Sequence, residues 1–518
     1  MKMLSKIKLI WTGIFCACFF NGIAQDNWAL MQEIEKAIKA PRFQKKDYNI
    51  LAFGARPGGI ADARPAISKA IARCNQQGGG RVLIPAGKFF IKGPIVLKSN
   101  VNLHVSEGAE LIFSSVAEDY LPVVFTRWEG TELYNYSPLI YARSAVNIAI
   151  TGKGLLNGMG TANIATWKPL QKKDQQQLRE MGRTGVPVAK RVFGKDHHLR
   201  PAFVELVDCR NILIEDIKLI NATFWVIHPI YCNNVTVRGV TVESRNLNSD
   251  GCDPESSTNV LIENCRFVTG DDGIAIKSGR DNDGWRVNKP TENVIIRNCS
   301  FETETNAVCI GSEISGGVRN VFVENIKVKE ASNAVYFKSN LDRGGFIEQI
   351  RVRNVVADSV RSSVIKFEPD YKSESKQHYP TRFRDFVIEN VSAVAAGDYA
   401  IDITGFEAMP VSDVVLKNIK IARVAQPYRV KHAQGVSFNE VMINGAPVIY
   451  GQPDKTVSLN GTREVAISND QPRQYVSKVP APGIITMAKP VLAADLDGQD
   501  HKERIKKITI QEQQFSNF

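Results

Sequence analysis

A short apolar strand opened by a polar residue recurs along most of this chain, and this recurrence limits the possible folds more than any other feature. It reads Asn147-Ile148-Ala149-Ile150, Asn211-Ile212-Leu213-Ile214, Asn234-Val235-Thr236-Val237 and Asn259-Val260-Leu261-Ile262. It continues as Asn293-Val294-Ile295-Ile296, Asn320-Val321-Phe322-Val323, Gln349-Ile350-Arg351-Val352, Asp385-Phe386-Val387-Ile388 and Asp413-Val414-Val415-Leu416. From Asn211 onward the interval is roughly 23 to 36 residues, the range in which self-similarity means a stacked solenoid. No helical pattern of comparable strength separates the strands. They are therefore expected to form the coils of an all-β parallel β-helix rather than βαβ units.

Equal places stack in a solenoid, so Asn264, Asn298, Asn325, Asn354, Asn390 and Asn418 are expected to hydrogen-bond from coil to coil along the core. Cys209, Cys232, Cys265 and Cys299 also recur near repeat-equivalent positions, which favours a column of small buried thiols. Two of the nine cysteines, Cys16 and Cys18, fall in the N-terminal apolar run, leaving seven. An odd number argues against a complete disulfide framework.

The length of 518 residues would suggest several ordinary domains, but the repeat merges most of them into one. Residues 1–24 read as a secretory signal: Lys2, Lys6 and Lys8 precede the apolar run Leu9 to Phe20, and Gly22-Ile23-Ala24 offers small residues for cleavage. The run is shorter than the ~20 residues needed to span a bilayer. A lipid anchor on Cys16 or Cys18 would lack the usual small residues before it. The expected location is secreted or periplasmic, without stable membrane insertion. Residues 25–46 predict an amphipathic helix and a polar linker. Residues 47–448 hold the β-helix, and within them Pro65 to Cys74 predicts a short helix capping its open end. Asn157 to Arg200 interrupts the repeat with a polar, basic insertion, expected to be a loop over one face. Residues 449–518 form a C-terminal tail of unassigned role, with a charged run from Lys502 to Lys507.

The formal charge of +11 suits an acidic partner. Lysines and arginines are spread along the chain and no recognition motif is present, which argues against nucleic acid. An anionic polysaccharide is the better match.

Two Asp-Gly turns one repeat apart concentrate the chemistry. Asn248-Ser249-Asp250-Gly251 and Gly270-Asp271-Asp272-Gly273 bring three carboxylates together, and Lys277 follows. Neighbouring carboxylates repel and raise at least one pKa, so such a set persists where the repulsion is used. Glycoside hydrolysis uses it: one carboxyl group protonates the leaving oxygen while another activates water.

With Ile310-Gly311-Ser312-Glu313, Gly316-Gly317-Val318-Arg319-Asn320, Phe337-Lys338-Ser339-Asn340 and Arg343-Gly344-Gly345, these turns resemble the ordered motifs of glycoside hydrolase family 28, the polygalacturonases and related pectinases. Gly54-Ala55, Pro85-Ala86-Gly87, Trp128-Glu129-Gly130 and Trp225-Val226-Ile227-His228-Pro229 fit its bacterial branch. The resemblance implies a right-handed, single-stranded parallel β-helix of the pectin-lyase type. It also implies inverting hydrolysis of α-galacturonosyl linkages with no metal or cofactor. Asp271 matches the general acid, and Asp250 with Asp272 the pair that positions and deprotonates water. Inversion leads one to expect carboxyl groups roughly 6.5 to 9.5 Å apart. Lys338 matches a lysine that binds a galacturonate carboxylate. Lys277, Arg280, Glu313 and Arg343 are candidates for the same substrate-binding strip, and Asn248 is expected to orient Asp250. Trp128 and Trp225 offer either faces for sugar rings or core packing, and His228 reads as structural.

Two positions depart from the family. Thr305-Asn306-Ala307 stands where Gly-His-Gly is usual, and Tyr336-Phe337-Lys338 where Arg-x-Lys is usual. With Asn306 and Tyr336 lining the substrate site, one subsite is expected to take something other than bare galacturonate, as in rhamnogalacturonan or decorated pectin. The insertion is expected to close one end of the cleft and direct attack to a chain end. A polysaccharide lyase and a non-catalytic carbohydrate-binding solenoid stand as alternatives.

Overall fold

The computed structural model describes residues 28–373 and 378–450. The signal segment and nearly all of the tail lie outside them. Within the described part the chain is a parallel β-helix. Ile148 pairs with Ile212, and the column continues through Val235, Val260, Val294, Val321, Ile350, Phe386, Val414 and Val436. All of these side chains are buried in one continuous core. Alternation is what puts them there: each strand sends every second residue inward, and a one-residue slip would expose the whole set.

The polar residue that opens each strand has a physical reason. Asn147, Asn211, Asn234, Asn259, Asn293 and Asn320 all have φ between 56° and 62°, the left-handed conformation that Asn tolerates better than most residues. Their amides bond from coil to coil: Asn211 donates to Asn147 at 2.9 Å, Asn234 to Asn211 at 2.8 Å and Asn320 to Asn293 at 3.0 Å. The second column behaves alike, with Asn325 donating to Asn298 at 3.1 Å and Asn354 to Asn325 at 3.0 Å. Its position corrects the expectation of a ladder inside the core. Asn264, Asn298, Asn325, Asn354 and Asn390 are exposed, because a left-handed residue marks the outer corner of the coil.

All seven cysteines of the described residues are free and buried. Cys209, Cys232, Cys265 and Cys299 each donate to the carbonyl two residues before them, at 3.2–3.3 Å, as equal places in a repeat should.

Helix α1 (Trp28–Ala37) lays Met31 and Ile34 on Leu261, Ile295 and Phe322, outside the coils. Helix α2 (Arg64–Gln76) begins at Pro65 and buries Ala66, Ile67, Ala70, Ile71 and Cys74 against the first coil. It covers the core at that end. Gly79 ends the segment at φ 109°, where a Cβ would lie 2.5 Å from the Asn100 carbonyl.

The insertion is more ordered than a loop. It holds a 3-10 turn (Asn163–Trp167), helix α3 (Gln171–Arg183) and the strand Val192–Phe193, which pairs with Tyr134-Asn135 of the hairpin Val124–Trp128/Thr131–Asn135. Leu178, Phe193 and Leu199 join Trp128, Leu133, Phe224 and Trp225 in a small core. Helix α3 shows no apolar stripe in the sequence because Leu178 and Met181 are its only large apolar residues. No helix among the described residues is long and apolar enough to cross a membrane.

Candidate active site

The two Asp-Gly turns sit on adjacent coils. Gly251 N donates to the Asp272 carbonyl at 2.9 Å, and Cys252 bridges to Ile274. The glycines are required for close approach: a Cβ on Gly251 would lie 2.3 Å from the Phe267 ring, and one on Gly273 equally close to Phe301. The stacking brings an oxygen of each of Asp250, Asp271 and Asp272 within 4.8 Å of the others. This is closer than the separation expected for inversion: Asp271 and Asp272 are consecutive residues, and Asp250 lies one coil away, neighbouring strands being about 4.8 Å apart.

The three carboxylates have different partners. Asp272 Oδ1 accepts from Thr305 Oγ1 at 2.6 Å, from Asn306 N at 3.2 Å and from Asn306 Nδ2 at 2.5 Å, while Lys338 Nζ lies 3.0 Å from its Oδ2. Burial pushes its pKa up, but Lys338 and Lys277 outweigh burial and hold it below the ordinary carboxylate value. Asp271 accepts from Thr305 at 3.0 Å and from Asn248 Nδ2 at 3.2 Å. Burial and the charge of Asp272 raise its pKa. Asp250 is raised well above the ordinary value by burial and by the charges of Asp253 and Asp271. An ionised base beside a protonated acid is the pairing acid–base hydrolysis needs.

Asn248 was expected to orient Asp250 and instead holds Asp271. Its Oδ1 accepts from Arg200 Nη2 at 2.7 Å and from Lys168, so the insertion reaches the acid through one amide. Lys277 Nζ lies between Glu313 at 3.5 Å, Asp250 at 3.6 Å and Asp253 at 3.7 Å, with the Trp225 ring 4.5 Å away. Arg280 pairs with Glu313 at 3.1 Å. Arg343 donates to the Ser312 carbonyl at 3.0 Å and pairs with Asp281. Glu313, buried among Lys277, Arg280 and Arg343, stays ionised because these charges exceed the cost of its burial.

These groups line one cleft of about 210 Å³, with Trp225 and Tyr371 as its aromatic members. Asn306 and Tyr336 are outside that wall. Asn306 is turned to Asp272, and the Tyr336 hydroxyl is buried against Glu368. Their expected place in the substrate site is corrected accordingly: both side chains are consumed by carboxylate partners. Trp128 is a core residue, its Nε1 donating to the Arg200 carbonyl at 3.0 Å. His228 is structural, held 2.9 Å from Glu255 and 3.3 Å from Glu205.

Sequence reasoning missed Asp253, whose pKa burial pushes up to about 7. It shares the outward face of its coil with Glu255, and alternation from Cys252 would have shown it. Arg200, Lys168 and Tyr371 carried no local signal; only folding brings them here.

The hairpin tip Glu129-Gly130 rests on the site, with Arg280 N donating to the Gly130 carbonyl at 3.0 Å. Helix α3 fastens it through Gln175 at 2.9 Å and Arg179 at 2.7 Å from the Glu129 carboxylate.

Fold and site together define a glycoside hydrolase built on a parallel β-helix. The chain belongs to glycosyl hydrolases family 28, whose model matches residues 74–438. It is 27% identical over 430 residues to an exo-poly-alpha-D-galacturonosidase of Dickeya chrysanthemi, covering 76% of this chain and 70% of that one. A probable polygalacturonase of Vitis vinifera is 27% identical over 409 residues, covering 73% and 77%. Among solved structures, an exopolygalacturonase from Thermotoga maritima is 39% identical with a TM-score of 0.77, covering 81% of this chain and 96% of that one. Membership in this hydrolase family sets aside the lyase and the non-catalytic solenoid.

Proposed function

We propose that the protein, once exported, releases galacturonate from a chain end of pectic polysaccharide by inverting hydrolysis. Asp271 protonates the glycosidic oxygen, Asp272 takes a proton from the attacking water, and Asp250 helps to place that water. The hairpin tip carries the reading: Glu129-Gly130, seated on Arg280 and Glu313, would block the passage of a polymer, so that the chain enters by its end. The names of the Dickeya and Thermotoga relatives agree with exo attack.

Lys277, Arg280, Lys338 and Arg343 gather positive charge around the cleft, as recognition of a uronate carboxylate requires. Tyr336 stands against Lys338 and Tyr371 and Asn306 against Asp272, with their polar ends already bonded to carboxylates, and the ring bound beside the scissile bond is read as galacturonate held by these cations. Whether the polymer is plain galacturonan, rhamnogalacturonan or decorated pectin is then decided farther along the chain. Residues 1–24 would direct export, to the medium or the periplasm.

Size-resolved product analysis tests the reading. Steady release of mono- or disaccharide from polygalacturonan is expected, and an early spread of medium-length oligomers would defeat it.

A further inference from the structure

Beyond the catalytic cleft the same outward sheet face opens again, into a pocket of about 290 Å³ lined by Ser362, Ser363, Lys366, Tyr399, Asp402 and Arg429. A hydrogen-bonded ladder links the two places. Asn306 Nδ2 donates to Asp272 at 2.5 Å, Asn333 Nδ2 to Asn306 at 2.7 Å, and Ser363 N to Asn333 Oδ1 at 3.1 Å. Ser363 thus stands three coils from Asp272, about 14 Å at the ordinary strand spacing. If the hairpin blocks the other end, as in the proposed function, a bound polymer leaves over these later coils.

Two features indicate the ligand. Ser363 is 1% exposed and its Oγ has no hydrogen-bond partner among the described residues, a costly condition that a ligand hydroxyl would relieve. The charges are already matched: Lys366 lies 3.2 Å from Glu368, and Arg429 lies 2.5 Å from Asp402 and 4.7 Å from the Tyr399 ring. Lys366 and Arg429 are balanced in the lining by Asp398 and Asp402, so the pocket offers a carboxylate no excess of positive charge. A neutral ring need only exchange hydroxyl hydrogen bonds with them.

We propose that this pocket is a remote subsite for a neutral, hydroxyl-bearing sugar ring of the polymer. The proposal rests on the proposed function for the path of the chain, and it assigns to these later coils the substrate discrimination that Tyr336 cannot supply.

Ser363→Ala is the discriminating variant. It removes only the unpartnered hydroxyl and keeps the backbone bond to Asn333, so Tm should not fall. On a long oligosaccharide alternating galacturonate and rhamnose, KM should rise about three- to tenfold, the loss of one hydrogen bond, with kcat unchanged. Trigalacturonate, too short to reach the pocket, should be turned over as by wild type. An unchanged KM on the alternating substrate would overturn the proposal, leaving the pocket to water. So would an equal rise on an all-galacturonate oligosaccharide of the same length. If wild type cleaves none of these substrates, the functional reading fails on its own; calorimetric binding of the alternating oligosaccharide to wild type and Ser363→Ala then still decides the subsite.

Discussion

Lys338 Nζ lies 3.0 Å from Oδ2 of Asp272, and this contact helps to hold the Asp272 pKa below the ordinary carboxylate value while that of its neighbour Asp271 is raised. Asp271 has no such ion pair, and burial with the neighbouring charge raises its pKa. The consequence for pH is direct. In the proposed mechanism activity needs Asp272 ionised and Asp271 protonated, so the acidic limb of the profile should follow Asp272, below the ordinary carboxylate range. The basic limb follows Asp271, above it. Lys338→Met removes a charge that lowers Asp272, so the acidic limb of kcat/KM should move to higher pH. An unmoved limb would remove Lys338 from this role. Stability should fall too, since losing one partner of a buried pair costs about 3–5 kcal/mol.

Substituting the aspartates should separate their roles. Asp271→Asn and Asp272→Asn are each expected to lower turnover by roughly 10²-fold or more, as lost acid–base catalysis does, while oligosaccharide binding persists. Asp250→Asn replaces a group favoured neutral by a neutral amide, so its loss should be smaller. Equal losses for all three in steady-state kinetics would return Asp250 to the role of an ionised base.

Product stereochemistry tests the short carboxylate spacing. Inversion predicts that proton NMR at early times detects the β-anomer of galacturonate released from an α-linkage. Initial appearance of the α-anomer would mean retention, with one of the stacked carboxylates acting as nucleophile.

The buried His228 makes the fold itself pH-sensitive. Burial alone would lower its pKa, but Glu205 and Glu255 raise it to about 9 from 6.5. Because the folded value exceeds the unfolded one, the stabilisation is complete below about pH 6.5 and lost as pH rises through about 9. The difference corresponds to about 3 kcal/mol. Urea denaturation midpoints should decline across that window, and His228→Gln should flatten the decline.

The sequence by itself determined the coils and the acids. Nine polar-opened strands, a cysteine column and two stacked Asp-Gly turns are local or periodic signals, and in a solenoid periodicity becomes position because each coil lies on the last. The partners of those acids were decided by tertiary structure. Asn248 serves Asp271 because Arg200 and Lys168 arrive from the insertion, and Tyr336 leaves the cleft because Glu368 of the next coil takes its hydroxyl. Helix α3 was illegible because its polar surface hides it until the hairpin supplies something to pack against. Protonation likewise belongs to the folded state: Asp271 and Asp272 are adjacent and chemically identical in the chain, and their unequal approach to Lys338 and Lys277 within a buried site sets them apart.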